Sequence, residues 1–250
     1  MVKKSGKIIF ILFAAFFLWA CGIEDVPFLD PVPDGNVRTQ MNHRAWVDLP
    51  PYNDVTFSHF EIYYKIYLSS VLTNATSPAE FPSIHPQLQA DFNAVLPHMD
   101  ATTFTPINMH NFFRGRGFYL LELQDHHIRE VLSSSALGAS LEFFFPLPRG
   151  NPTMTVRSSG TTVTYTLWRS DTHLFDLQPD GFFRNSLDLQ ENLDEHTNAD
   201  VDRRNAHLIS GAPVYAYVAM FIVAAGMNHI THTPVYSSPT LIHVFLMPDW

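Results

Sequence analysis

Two arginines separated by glycines form the polar group whose spacing most suggests ligand binding. Arg114 and Arg116 alternate with Gly115 and Gly117 in a segment rich in phenylalanine. Two guanidinium groups on a glycine-rich loop can bind a carboxylate or a phosphate. No Gly-Lys-Ser/Thr follows, so the segment is not a Walker loop. The alternative, which the sequence favours, is a tight turn whose arginines pair with nearby acidic residues.

Thirteen histidines raise the question of a metal site. His229 and His232 are three residues apart, and in a strand such residues point to opposite faces. The Glu of the His-Glu-x-x-His pattern is missing, which favours solvated loop histidines. His126 and His127 are adjacent and are predicted to lie at an exposed helix start. We retain His126, with Arg114 and Arg116, as candidate ligand-binding residues and predict neither metal nor cofactor.

An acidic segment precedes the last part of the chain. Residues 198–203 open like a calcium loop, but Arg203 replaces the turn glycine and Ile209 the bidentate glutamate, which favours a solvated loop. Like charges at this density repel, so we expect a basic or cation-bridged protein partner whose binding weakens with salt. The six acids are Asp188, Glu191, Asp194, Glu195, Asp200 and Asp202.

Motifs for nucleophilic catalysis are missing from the sequence. No Gly-x-Ser-x-Gly elbow occurs, and no Ser-x-x-Lys has a convincing context. Two hypotheses follow. The first is a binding or structural module with an unknown small-molecule or protein ligand. The second is a membrane-anchored hydrolase that uses histidines and acidic residues from the loops. The sequence favours the first and leaves enzymatic activity open.

The N-terminus has the pattern of an export signal. Three lysines precede an apolar run of 13 residues at positions 8–20. A helix of that length reaches only about 20 Å, too short for a hydrocarbon core of about 30 Å, so it is predicted to be a secretory segment. The run ends in Leu18-Trp19-Ala20-Cys21-Gly22, which resembles the lipobox of bacterial lipoproteins.

The lipobox resemblance implies a specific modification of Cys21. The thiol receives diacylglycerol, the peptide before it is removed, and the new amine is acylated. The alternative is an ordinary signal peptide followed by an accidental cysteine, although Cys21 is the only Cys in the chain. Gly22 is not the Asp that retains lipoproteins at the inner membrane of Gram-negative bacteria, which favours the outer membrane. We expect a protein of the bacterial envelope that contacts the membrane through its N-terminal lipid.

Processing leaves an acidic protein. Without residues 1–20 the chain has 12 basic and 24 acidic residues, a net charge of −12, and Lys65 is its only lysine. Nucleic-acid binding requires clusters of basic residues, so the composition excludes it. Attraction of the chain as a whole to anionic headgroups is also disfavoured.

Alternation of apolar and polar residues predicts a mainly β protein. A strand is predicted at 57–68, because residues 60–68 alternate with a period of two. One face is aliphatic and aromatic, and the other is Tyr-rich, carries Glu61 and Lys65 and can meet solvent or a loop. Residues 213–225 are a dense apolar run, typical of a central strand buried on both faces. Other predicted elements are strands at 44–49, 141–145 and 240–247, a hairpin of 154–157 with 161–168, and helices at 87–96 and 125–135.

The order of these β segments resembles fibronectin type III sandwiches. The Pro-rich first strand of that family resembles Pro31-Val32-Pro33, and its core Trp corresponds to Trp46. Its third strand resembles residues 60–65, and its penultimate strand resembles residues 217–226. The resemblance implies an immunoglobulin/fibronectin III-like sandwich with a partly helical insertion at 71–138. The expected organisation is signal peptide 1–20, tether 21–40 and sandwich domain 41–250. The expected core cluster between the sheets comprises Trp46, Ile62, Tyr64, Tyr217, Phe221 and Val223.

Overall fold

The computed structural model describes residues 29–52, 56–73, 77–99, 108–146, 151–169, 173–174, 201–209 and 212–247. Cys21 and most of the acidic segment lie outside these residues. The described strands, in chain order, are β1 Val37–Gln40, β2 Arg44–Asp48, β3 Phe57–Ser69, β4 Tyr119–Leu120, β5 Glu122–Leu123, β6 Ser140–Phe144, β7 Thr153–Ser158, β8 Thr161–Arg169, β9 His173–Leu174, β10 Val201–His207, β11 Tyr215–Met227, β12 Pro234–Tyr236 and β13 Thr240–Met247. The described α-helices are α1 Phe81–Ile84, α2 Pro86–Val95, α3 Met109–Arg114 and α4 Ile128–Val131.

These strands form two sheets, and the protein is mainly β. The first sheet has the order β1-β2-β6-β7-β8-β5, with β9 also paired to β8. The second is built around β3 and β11, which pair along their whole length. Strands β4 and β10 pair with β3, and β12 and β13 pair with β11. Every pair is antiparallel except β10 with β3.

The two sheets share an apolar core, in a sandwich-like arrangement. Alternate residues of β3, including Ile62 and Tyr64, point into this core and are fully buried. The first sheet contributes residues such as Phe143 of β6, whose ring centroid lies 6.3 Å from that of Phe245 in β13. Phe145 stacks on Phe245 at 4.3 Å. Aromatic contacts between the sheets therefore reinforce the burial of aliphatic surface.

A second apolar core lies on the opposite face of the β3–β11 sheet. Tyr63 and Tyr67 of β3 pack there with residues of α1, α2 and α3. The rings of Tyr63 and Phe113 stack at 4.5 Å. The first part of the predicted insertion at 71–138 therefore forms a helical layer that covers this sheet. Its second part supplies β4 and β5 to the two sheets, and α4 packs into the core between them. The Tyr-rich face of β3, which the sequence suggested could meet solvent or a loop, is buried, with Glu61 1% and Lys65 2% exposed.

The predicted single core cluster is wrong because it mixes residues from two faces of the sheet. In the β3–β11 register Ile62 pairs with Ile222, and Tyr63 pairs with Phe221. Paired residues share a face, so Phe221 belongs with Tyr63 under the helical layer. Tyr217 and Val223 lie in that second core as well. Trp46 is only half-buried, on the outer face of the first sheet near Arg44.

The first described residues already belong to the core, nearer the N-terminus than the sequence suggested. Leu29 and Val32 are each 1% exposed and belong to the core between the sheets. The Val32 carbonyl accepts a hydrogen bond of 2.6 Å from the Thr240 hydroxyl. Residues 37–40 form β1, on the edge of the first sheet. Residues 29–40, which the sequence placed in a tether at 21–40, thus pack as part of the domain.

Most of the predicted strands are confirmed. β2, β6, the β7–β8 hairpin, β11 and β13 lie where the sequence placed them, and α2 confirms the helix predicted at 87–96. The predicted helix at 125–135 is reduced to the single turn α4 and a 3₁₀ turn at Ser134–Ala136. The end of the calcium-like motif is a strand rather than a loop, since Val201 begins β10.

Candidate functional site

A buried carboxylate on β3 is the centre of the first polar group, which we call the Glu61 cluster: Glu61, His59, Tyr63 and Arg129. The hydroxyl of Tyr63 donates to Oε2 of Glu61 at 2.5 Å. Nη2 of Arg129, from α4, lies 2.6 Å from Oε1, and Nε2 of His59 lies 3.2 Å from the same oxygen. His59, Glu61 and Tyr63 are two residues apart in one strand, so they project from the same face.

The surroundings of Glu61 favour its ionised form. Burial alone raises the pKa of a carboxyl, and it is the largest single influence here. The hydrogen bonds from His59 and Tyr63 and the charge of Arg129 together outweigh it, and the pKa of Glu61 is lowered. Burial and the adjacent Glu61 charge raise the pKa of the Tyr63 hydroxyl, which keeps it a donor. Glu61 is therefore a carboxylate held by three donors.

A second carboxyl, Glu122 of β5, lies in the electrostatic range of the Glu61 cluster. Partial burial raises its pKa, against the opposing charges of His127 and Arg129 and a hydrogen bond from the Ile128 backbone N–H. Repulsion by Glu61 adds to the upward shift. The charge of Arg129, whose side chain is 49% exposed, lowers the pKa of both acids.

The second polar group, the Lys65 cluster, joins β3 to the helical layer: Lys65, Tyr67, Gln87 and Asp91. Nζ of Lys65 lies 2.5 Å from Oδ2 of Asp91 in α2. Asp91 also accepts from the hydroxyl of Tyr67 at 2.8 Å and from Nε2 of Gln87 at 2.9 Å. The Lys65 and Asp91 side chains are 2% and 7% exposed. Both buried charges are therefore compensated by hydrogen-bonded partners, as buried charges require.

The glycine-rich segment completes the Lys65 cluster through its backbone. The carbonyl of Arg116 accepts a hydrogen bond of 2.9 Å from Nζ of Lys65. Gly117 follows with φ +77°, and a Cβ at that position would lie 3.7 Å from the same nitrogen. Glycine suits this left-handed turn, which directs the chain over the ammonium group. This part of the segment therefore serves the packing of the helical layer.

The structure places the predicted ligand-binding residues in different parts of the fold. Arg114 is exposed at the end of α3. Arg116 donates to the Phe112 carbonyl at 3.0 Å and lies 3.9 Å above the Phe112 ring. The exposed ring of His126 contacts Tyr165 of β8, in the other sheet, with centroids 5.0 Å apart. Arg114 and His126 are thus on separate layers. Cys21, the predicted lipidation site, lies outside the described residues.

The residues of the two buried clusters were not predicted as a site. The available signal was the pair Glu61 and Lys65, two charges on alternate positions of an otherwise aromatic face. Their partners Asp91 and Arg129 come from distant parts of the sequence, and spacing alone does not identify them. The described residues contain no group of three or more His, Cys, Asp or Glu side chains placed to hold a metal ion.

No protein-family model, curated protein or solved structure matches the chain. Within the described ranges, no helix is long and apolar enough to cross a bilayer.

Proposed function

We propose that this protein is a lipid-anchored component of the bacterial envelope, in which the sandwich serves as a binding or structural module. The observation that carries the proposal is the motif Leu18-Trp19-Ala20-Cys21 directly after a 13-residue apolar run. Diacylglycerol on the thiol and an acyl chain on the new amine give three chains, and two or more chains anchor a protein stably. Gly22 favours the outer membrane over the inner membrane.

The start of the folded domain supports this arrangement. Leu29 is already packed in the core, only eight residues after Cys21. A lipid on Cys21 thus holds a folded domain close to the membrane rather than at the end of a long tether. We regard the fibronectin III-like topology as part of the same proposal. It rests on the two packed sheets, with the helical layer as the insertion into that topology.

The geometry of the Glu61 cluster favours a structural role over a hydrolytic one. A catalytic carboxylate has to reach a substrate or a water molecule. The Glu61 side chain is 2% exposed, and its two oxygens already accept from Tyr63, His59 and Arg129. Lys65 and Asp91 are similarly occupied by each other. Exposed Arg114 remains our proposed contact for an anionic ligand.

The proposed macromolecular partner is basic or bridged by cations, because the processed chain has a net charge of −12. Screening shortens the range of such attraction to about 8 Å at physiological ionic strength. The affinity for this partner should therefore fall as the salt concentration rises through the physiological range, as measured by binding titrations at several salt concentrations. An affinity that does not change with salt would contradict the electrostatic part of the proposal.

The experiment that tests the anchor compares the full-length protein with Cys21→Ser in a Gram-negative host. The wild-type protein should incorporate labelled palmitate and partition into the detergent phase, and Cys21→Ser should do neither. Trp19→Ala is the matched control, since it changes a tolerant position of the same motif and should leave both properties intact. Equal partitioning of wild type and Cys21→Ser would contradict the proposal. Separation of inner and outer membranes by density then tests the predicted location.

A further inference from the structure

The turn between β11 and β12 presents an isoleucine to solvent. Ile230 is 90% exposed, at the tip of residues 228–233. Oδ1 of Asn228 accepts from the backbone N–H groups of Ile230 at 2.8 Å and Thr231 at 3.2 Å. The Asn228 carbonyl accepts from the His232 N–H at 2.8 Å, and the Asn228 N–H donates to Thr233 at 2.9 Å. These hydrogen bonds hold an apolar side chain outward in a defined turn.

Leu29, the first residue that the structure describes, lies at the same end of the sandwich as this turn. The hydroxyl of Tyr52 donates to the carbonyl of Asp30, next to Leu29. The ring of Tyr52 stacks on that of Phe57 at 5.0 Å. Phe57 is the first residue of β3 and pairs with Gly226, one residue before the end of β11. These contacts place Leu29 towards the end of the second sheet from which the turn after β11 emerges.

Covalent geometry limits how far this end can be from a lipid on Cys21. Leu29 is eight positions after Cys21, and eight residue steps span at most about 26–29 Å. The 13 residues of β11 extend over roughly 40 Å. The end that carries Ile230 is therefore the membrane-proximal end, and the end that carries Tyr215 is the distal one.

The sequence around the turn suits contact with a membrane surface. Positions 205–248 contain no Asp, Glu, Lys or Arg, in a processed chain that otherwise carries 24 acids. This segment therefore carries no acidic side chain that anionic headgroups would repel. Met227, 46% exposed, ends β11 at the base of the turn and is a second exposed apolar side chain of this segment.

We propose that residues 227–233 form the membrane-contacting tip of the domain, with Ile230 seated among the headgroups and upper acyl chains of the bilayer that holds Cys21. The inference rests on the proposed lipidation of Cys21. A lone exposed isoleucine binds a membrane weakly, but the anchor makes its insertion an intramolecular event at high effective concentration. The contact orients the sandwich with β3 and β11 rising from the membrane and the distal end facing outward.

The test uses the single cysteine of the chain. Acylation occupies the thiol of Cys21, so a thiol-reactive, environment-sensitive fluorophore labels only an introduced cysteine. Ile230→Cys is compared with Ile209→Cys, a matched control that is 60% exposed and whose N–H donates to Ser70, just beyond the distal end of β3. Both proteins are lipidated in full length and reconstituted into vesicles of phosphatidylethanolamine and phosphatidylglycerol.

In vesicles, the label at position 230 should have blue-shifted emission and several-fold weaker iodide quenching than the same label on Cys21→Ser protein in detergent-free solution. The label at position 209 should show no change in either property. Equal quenching at the two positions in lipidated protein would overturn the proposed tip. Protection at 230 in whole cells but not in vesicles would also overturn it, in favour of a protein partner. A wild-type chain whose Cys21 thiol still reacts with the fluorophore would refute the lipidation itself, which separates the two failures.

Discussion

Removing one partner of the buried Lys65–Asp91 ion pair should destabilise the fold strongly. The Lys65 and Asp91 side chains are 2% and 7% exposed, so little solvent can replace the lost partner. Breaking a buried pair of this kind costs about 3–5 kcal/mol, because an uncompensated charge remains inside. In Asp91→Leu the ammonium retains the Arg116 carbonyl as a hydrogen-bond partner, and the ring of Tyr67 5.1 Å away. In Lys65→Met the carboxylate retains donors from Tyr67 and Gln87.

The assay is chemical denaturation of the full processed chain, followed by tryptophan fluorescence. Each single variant should lose about 3–5 kcal/mol of unfolding free energy, and the double variant Lys65→Met/Asp91→Leu should recover a large part of that loss. The control is the pair Arg38–Asp48, at 2.9 Å with side chains 62% and 48% exposed. Arg38→Ala should cost no more than about 1 kcal/mol. Single variants of the buried pair that cost as little as Arg38→Ala would refute the claim that this ion pair is desolvated.

Three further predictions concern the core under the helical layer and two buried titratable groups. Phe221→Ala, in the core under the helical layer, should cost about 3–5 kcal/mol in a denaturation experiment, and a loss under about 1 kcal/mol would place Phe221 outside the core. Burial lowers the pKa of His243 to about 4, helped by the charge of His43 and opposed by a hydrogen bond to the Met41 carbonyl. Because the unfolded chain takes up this proton at a higher pH than the folded chain, stability is highest above pH 6.5 and falls by about 3 kcal/mol as the pH drops towards 4. His243→Gln should remove that part of the pH dependence, and an unchanged stability profile would contradict it. The lowered pKa of Glu61 stabilises the fold at any pH above the ordinary carboxyl pKa, so Glu61→Gln should be less stable than wild type at neutral pH. The difference in unfolding free energy between the two proteins should shrink as the pH falls through the lowered pKa, as measured by acid unfolding.

Periodicity was sufficient to identify the strands but not the layer on each side of them. The alternation in residues 57–68 correctly predicts β3, and the continuous apolar run at 213–225 correctly predicts a strand buried on both faces. A period of two assigns the residues of one strand to its two faces. It does not show which face of that strand lies on the same side of the sheet as a given face of the neighbouring strand. The register that pairs Tyr63 with Phe221 decides this alignment, and it depends on the whole sheet.

The spacing of residues along a strand also does not show whether another layer packs on one of its faces. The Tyr-rich face of β3 carries Glu61 and Lys65, and an exposed face would show the same residues. It is buried because α2 supplies Asp91 and α4 supplies Arg129 as partners for the two charges. The glycine-rich segment shows the same limit. Its spacing suggested two arginines for a ligand, whereas the backbone of Arg116 binds Lys65 and its side chain covers Phe112.

The most direct test of the proposed function is mass spectrometry of the mature N-terminus, on protein purified from the membranes of a Gram-negative host. The proposal predicts that the first residue is Cys21 and that its peptide carries the added mass of a thioether-linked diacylglycerol and an amide-linked acyl chain. A mature chain that retains residues before Cys21, or a Cys21 with a free thiol, would contradict the proposal of a lipid-anchored envelope protein.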